Sequence, residues 1–256
     1  DGKGGELMKL LRLEFFKCRR RKVGWICLAF LAAQLLWVGY SIVRMEQVER
    51  VQGWQMTIYD LLLIDAVMLP ITVGAIASRS GELEHKGNMW KLLETMAPAG
   101  RLFDAKLAWG ALWIGGMLLC RTLLFLGLGL AFGFPRQVPL LQFGLQFLIS
   151  FSVTLTIYLL QQSLSLLFRN QAVALVTSIV GSFAGLFSLF FPIWVQKCLL
   201  WGYYGVLNLA AMDWDPVTRA TDFYWITVDK SGIVLLALWF VALLALGRTL
   251  FIRKEV

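Results

Sequence analysis

The chain has 256 residues, 59% of them hydrophobic and 16% charged, with a mean hydropathy of +0.70. Soluble domains hold about 45–50% apolar and about 25% charged residues, so this composition excludes an ordinary water-soluble globule, a disordered tail and a disulfide scaffold, and points to the lipid bilayer as solvent. The net charge of +8, from 24 Lys and Arg against 16 Asp and Glu, would raise nucleic-acid binding in a soluble protein. Here the cations cluster over Lys17–Lys22, directly before an apolar run, as in a membrane flank, and no nucleic-acid partner is expected.

In chain order, Asp1–Leu7 precedes Met8 and reads as an appended linker, with Met8 the expected natural start. Residues 7–22 place Leu7, Leu10, Leu11, Phe15 and Cys18 on one helical face and Lys9, Arg12 and Arg20 toward the other, which suits a helix lying in the headgroup layer. Glu14 intrudes on that apolar stripe, and a plain basic extension of the first span is the alternative. Six apolar stretches follow, each long enough to cross the hydrocarbon core as a helix: Val23–Val43, Ile58–Ala77, Leu107–Phe132, Leu140–Leu167, Ala172–Phe191 and Ser231–Ile252. The first is 21 residues long behind a charged lead and has no small-residue cleavage site, so it is not read as a signal peptide. With the N-terminus inside, Lys and Arg number 17 on the inner side against 6 outside, with Arg121 inside the third span. The positive-inside rule therefore predicts that both termini are cytoplasmic.

Between spans two and three, Asn88 is positioned to cap a short helix in which Met89, Leu92, Leu93 and Met96 recur at helical spacing, closed by Pro98. Too little protein surrounds such a stripe, so it suits a groove on a partner protein; resting on the membrane surface or the bundle is the alternative. Between spans five and six, the stretch from Pro192 to Lys230 is apolar but broken, and a pair of half-inserted, re-entrant helices is predicted. Trp201, Tyr203, Tyr204, Trp214, Tyr224 and Trp225 read as an outer interfacial belt.

Asp60 and Asp65 in span two and Arg121 in span three are costly against lipid, so each is expected to face inward with a partner. At the usual helical rise, Asp65 and Arg121 lie roughly 10 and 16 Å below the outer ends of their spans, within reach of an ion pair; a proton or substrate relay is the alternative. Gln142, Gln146, Gln161 and Gln162 of span four either line a polar cavity or join helices by hydrogen bonds, the second being favoured. Gly127, Gly129, Gly133, Gly181 and Gly185 read as close-packing surfaces. The four cysteines are scattered, His85 is the one histidine, and no phosphate-binding loop, HExxH or triad stands in the sequence, so no catalytic residue, metal site or bound cofactor is expected.

The loop from Ser78 to Leu107 resembles that of the permease subunits of bacterial ABC-2 type transporters, particularly lantibiotic immunity exporters. Glu84, Trp90, Leu93, Pro98, Arg101 and Lys106 stand at the matching positions, and the short basic lead, six spans and long outer segment repeat the family layout. Ala99-Gly100 depart from the Val-Ser pair usual after the proline. The resemblance implies one all-α transmembrane domain over residues 1–256, with an N-terminal connecting helix and a cytoplasmic coupling helix around Asn88–Ala97. Glu84, Met89, Trp90, Leu92, Leu93, Met96 and Arg101 would contact a separate ATP-binding subunit, present in two copies and carrying ATP and Mg. The resemblance further implies a second permease, the same or a related chain, in a bacterial cytoplasmic membrane, and export of a peptide antibiotic or other amphipathic cargo from membrane lipid. A sensory or scaffold protein docking a non-ATPase partner is the rival class; a lipid-modifying enzyme lacks any acid–base cluster.

Overall fold

A computed structural model describes residues 2–18, 22–47, 49–86, 97–217 and 221–254, with backbone alone over 2–7 and 83–86. Its helices are α1 (Gly2–Cys18), α2 (Val23–Arg44), α3 (Gly53–Lys86), α4 (Ala99–Ala131), α5 (Leu140–Leu167), α6 (Ala172–Ser188), α7 (Ile193–Cys198), α8 (Tyr203–Val206) and α9 (Lys230–Lys254). An antiparallel hairpin of β1 (Ala210–Trp214) and β2 (Thr221–Trp225) precedes α9. Five helices, α2, α3, α4, α5 and α9, are long and apolar enough to cross a membrane, while α6, at 17 residues, is shorter.

Helix α3 is the hub. Its apolar window is 61% buried against 11% for α9, because α2, α4, α5 and α6 all pack on it. Its 34 residues run roughly 50 Å, well beyond a hydrocarbon core about 30 Å thick, so the helix continues past the expected end at Ala77. Likewise α4 begins at Ala99 rather than near Leu107, because the Pro98 carbonyl accepts Arg101 N at 2.9 Å and Leu102 N at 3.3 Å and so nucleates the first turn. Pro98 therefore opens a helix, a position where its missing N–H costs nothing. Between the two helices the described residues are Ala97 and Pro98, and residues 87–96 lie outside the described residues.

At this end of the bundle α1 packs on the start of α4, and Lys254 near the end of α9 donates to the Leu166 carbonyl at 3.1 Å at the end of α5, so α1 and the end of α9 share one side. The bend from α1 to α2 places Lys22 in the left-handed region, φ 56°.

At the opposite end lies a cluster of edge-on rings: Trp54 meets Phe134 at 5.1 Å and Phe143 at 5.6 Å between centroids, and its indole N–H donates to the Pro135 carbonyl at 2.9 Å. Gly133, at φ +83° and with open space where a Cβ would point, shapes the α4–α5 turn, and Gly127 also has nothing within 4 Å. Neither packs a helix, contrary to the expectation from sequence; Gly129, pressed on Trp54 and Phe134, does. The hairpin was not foreseen from the sequence. It is pinned by Gln52, the residue before α3, which accepts Phe223 N at 2.9 Å and donates to Asp222 at 3.3 Å, and by Phe223 against Tyr59 of α3 at 5.5 Å.

The segment after α6 folds back as a chain of short helices. Gly181 and Gly185 form a slot for Trp201: an added Cβ would sit 2.1 Å from its ring at the first and 2.7 Å from its carbonyl oxygen at the second. Their partner is this returning segment, not a neighbouring span. Tyr203 and Tyr204 are buried at 0% and 4% exposure, which removes them from the expected interfacial belt, whereas Trp214 and Tyr224 are exposed. Tyr204 is buried because its hydroxyl meets Thr154 of α5 at 2.9 Å, supplying the partner that a buried phenol requires.

Candidate functional site: two buried ionic clusters and the loop base

Two ionic clusters sit inside the bundle. In the first, Asp65 of α3 and Arg121 of α4 form a salt bridge, and both side chains are 1% exposed. Ser150 of α5 completes it, donating to the second Asp65 oxygen at 2.8 Å and accepting from Arg121 Nη2 at 3.3 Å and from Gln146 Nε2 at 3.3 Å. Three helices are thus joined by one anion, one cation and one hydroxyl. Asp60 is not part of this cluster; it is half-buried, on the side of α3 that faces Ser41 of α2.

The second cluster was not anticipated from the sequence. On α1 the buried stripe is Leu10, Glu14 and Cys18, one turn apart, so Glu14 lies at the centre of the packed face while Phe15 is 42% exposed. Its carboxylate accepts Lys106 Nζ of α4 at 3.0 Å and Lys17 Nζ at 3.3 Å, and Lys106 also reaches Ser80 of α3 at 3.4 Å. Burial pushes the Glu14 carboxyl up, but Lys106 and Lys17 outweigh it and hold the group below the usual carboxylate range. Leu10, Leu13, Ala97, Leu102 and Ala105 form a small apolar cluster beside it. The signal available in the sequence was the four-residue spacing of Glu14 from Leu10 and Cys18, which puts all three on one helical face; the charge of Glu14 masked it.

These contacts tie α1 to α3 and α4 near the ends of those helices that flank residues 87–96 in the chain. Of the residues expected to meet a partner, Met89, Trp90, Leu92, Leu93 and Met96 lie outside the described residues, as does the side chain of Glu84. Arg101 is exposed on the first turn of α4. Among the glutamines of α5, Gln162 donates to the Phe103 carbonyl of α4 at 3.1 Å, an interhelical bond, while Gln146 bonds within its own helix and Gln142 is half-buried. Gln161 is fully buried, with neither amide atom partnered among the described residues. Among the described residues no group of three or more His, Cys, Asp or Glu could hold a metal ion.

The family described as ABC-2 family transporter protein matches residues 10–185, more than half of the chain and all of both ionic clusters. The chain belongs to this family. It is a multi-pass membrane protein and the transmembrane permease subunit of an ABC transporter, not itself the ATPase, and the family implies partnership with an ABC ATP-binding subunit. No curated protein matches it. In this chain the parts of α3 and α4 nearest residues 87–98 are tied to each other and to α1, through Ser80, Lys106 and Glu14.

Proposed function

We propose that this permease exports or expels a hydrophobic or amphipathic compound, a lantibiotic or other peptide antibiotic, and that a coupling helix around Asn88–Ala97 carries the contact with two ATP-binding subunits. In this reading the chain crosses the membrane six times with both termini cytoplasmic, α6 being completed by the segment that returns through Trp201, and pairs with a second permease. Glu84, Met89, Trp90, Leu92, Leu93, Met96 and Arg101 form the coupling contact, and ATP and Mg are held by the partner.

The observation that carries the reading is the buried Glu14–Lys106–Ser80 cluster at the root of the loop. A loop strung between the ends of two long helices transmits displacement only if those ends are fixed to each other, and a buried charge pair with satisfied hydrogen bonds resists separation because breaking it strands a charge in low dielectric. The positive-inside balance and the apolar spacing of Met89, Leu92, Leu93 and Met96 support the orientation and the contact face.

The test is copurification from native membranes in mild detergent, with ATPase rate measured as candidate peptides are added. A stoichiometric ATP-binding subunit with a second permease is expected. Trp90→Asp or Leu93→Asp is expected to abolish stimulated hydrolysis while leaving insertion intact, since a hot-spot anchor commonly contributes about 2 kcal/mol or more. Full stimulation in both variants removes the coupling assignment.

A further inference from the structure

An apolar groove opens on the outside of the bundle where α1 turns into α2. Its first part, about 650 Å³, lies between Phe15, Lys22, Trp25 and Trp109; a second, about 400 Å³, continues along Leu31, Leu112 and Met117. Phe15, Gly24, Leu28 and Trp113 line both parts, so the two form one channel between α2 and α4. Three features distinguish it from ordinary lipid-facing surface. Lys22, last of the Lys17–Lys22 cationic run, stands at its mouth. Gly24 leaves its wall open: an added Cβ would meet only the Trp113 ring, at 3.5 Å and beyond. The third feature is Trp25, 69% exposed, which lines the first part of the groove beside Lys22.

We propose that this groove is a binding site for an anionic phospholipid of the inner leaflet, with its phosphate at Lys22 and one acyl chain along α2 and α4. From Val23 to Leu31 the groove follows eight helical steps, about 12 Å, close to the roughly 15 Å depth of one leaflet. A lysine at the headgroup level attracts an anionic lipid, and an exposed indole such as that of Trp25 suits the interfacial layer just below it. Lys22 is held in the left-handed conformation at this mouth, where Asn or Gly would sit with less strain than a residue with a long side chain. The assignment to the inner leaflet rests on the orientation given above; the groove, its cation and its exposed tryptophan do not.

The experiment is native mass spectrometry of the purified full chain titrated with phosphatidylglycerol or phosphatidylcholine, joined with photolabelling by a phosphatidylglycerol bearing a diazirine in its acyl chain. Wild-type protein is expected to retain phosphatidylglycerol in preference to phosphatidylcholine and to carry the label on residues 23–31 and 109–117. Lys22→Asn, which keeps the bend but removes the charge, is expected to reduce that preference about fivefold, the worth of one lysine at an anionic surface. Gly24→Leu fills the groove and is expected to remove most of both lipids, whereas Leu123→Phe, on exposed surface outside the groove, changes nothing. Equal retention of the two lipids by wild type, retention unchanged in Gly24→Leu, label spread evenly over the apolar surface, or crosslinking of a second copy at the groove would each overturn the proposal. The assay needs no ATP-binding subunit, so its failure and a failure of the coupling variants are read separately.

Discussion

The two buried ionic clusters solve the same problem in different surroundings. Asp65–Arg121 balances one anion with one cation deep among three membrane helices, and Ser150 occupies the second carboxylate oxygen. Glu14–Lys106 lies where α1 meets the bundle end, and its carboxylate is shared between two lysines. The first is a closed joint between α3, α4 and α5. The second is a branched joint between α1, α3 and α4 at the edge of the bundle, where Lys17 retains 9% side-chain exposure against 1% for either member of the first pair. Depth sets the cost of stranding a charge, so the Asp65–Arg121 pair is expected to hold its helices together more strongly than the pair at Glu14.

The largest effect is expected from breaking the deep pair. Asp65→Ala or Arg121→Ala alone leaves an uncompensated buried charge and is expected to cost about 3–5 kcal/mol, read as loss of folded protein in a detergent thermal-shift series. Asp65→Leu combined with Arg121→Met removes both charges and is expected to recover most of that loss; a double variant as unstable as the singles would show that the charges do more than balance each other.

A smaller effect is expected at the edge. Lys106→Met is expected to cost about 1–3 kcal/mol, because Lys17 remains as a partner of the Glu14 carboxylate. The pH dependence has a definite sign: the Glu14 carboxyl is held low in the folded chain, so its stabilisation is present above the unfolded value of about 4.3 and is lost as pH falls through the folded one. Melting temperature followed from pH 7 to pH 3 is expected to fall less steeply in Glu14→Gln than in wild type, and identical slopes would count against the pairing.

The smallest effect belongs to the exposed pair Lys197–Asp229, 2.5 Å apart, which tethers the returning segment to the start of α9. Lys197→Gln is expected to cost about 0.2–1 kcal/mol and to lose its effect in high salt, because water and ions screen surface pairs. A loss as large as at Asp65 would break the ordering by depth.

Much of the membrane architecture was legible because hydrocarbon leaves so few options. Apolar runs must be helical to satisfy their backbone, and the expected Leu140–Leu167 span coincides with α5, bounds included. Charged residues inside such runs stand out, which is why Asp65 and Arg121 were conspicuous as candidates for a pair. Glu14 was not conspicuous, since in a lead rich in charge one more carboxylate carries no anomaly; only packing on α4 makes it a buried residue. Helix ends beyond the membrane were equally hidden, for water permits α3 to stop at Ala77 or to run on to Lys86 at little difference in hydropathy.

The amino-acid sequence by itself therefore determined the solvent, the helical class, the transporter family resemblance and the residues too polar for lipid, all of them consequences of composition and short-range pattern. The tertiary structure alone decided which polar groups meet: that Lys106 answers Glu14 across 92 positions, that Trp201 fills the Gly181–Gly185 slot, and that Tyr204 lies buried against Thr154 instead of at an interface. Those pairings are long-range, set by which helices lie side by side, and no local spacing rule encodes them.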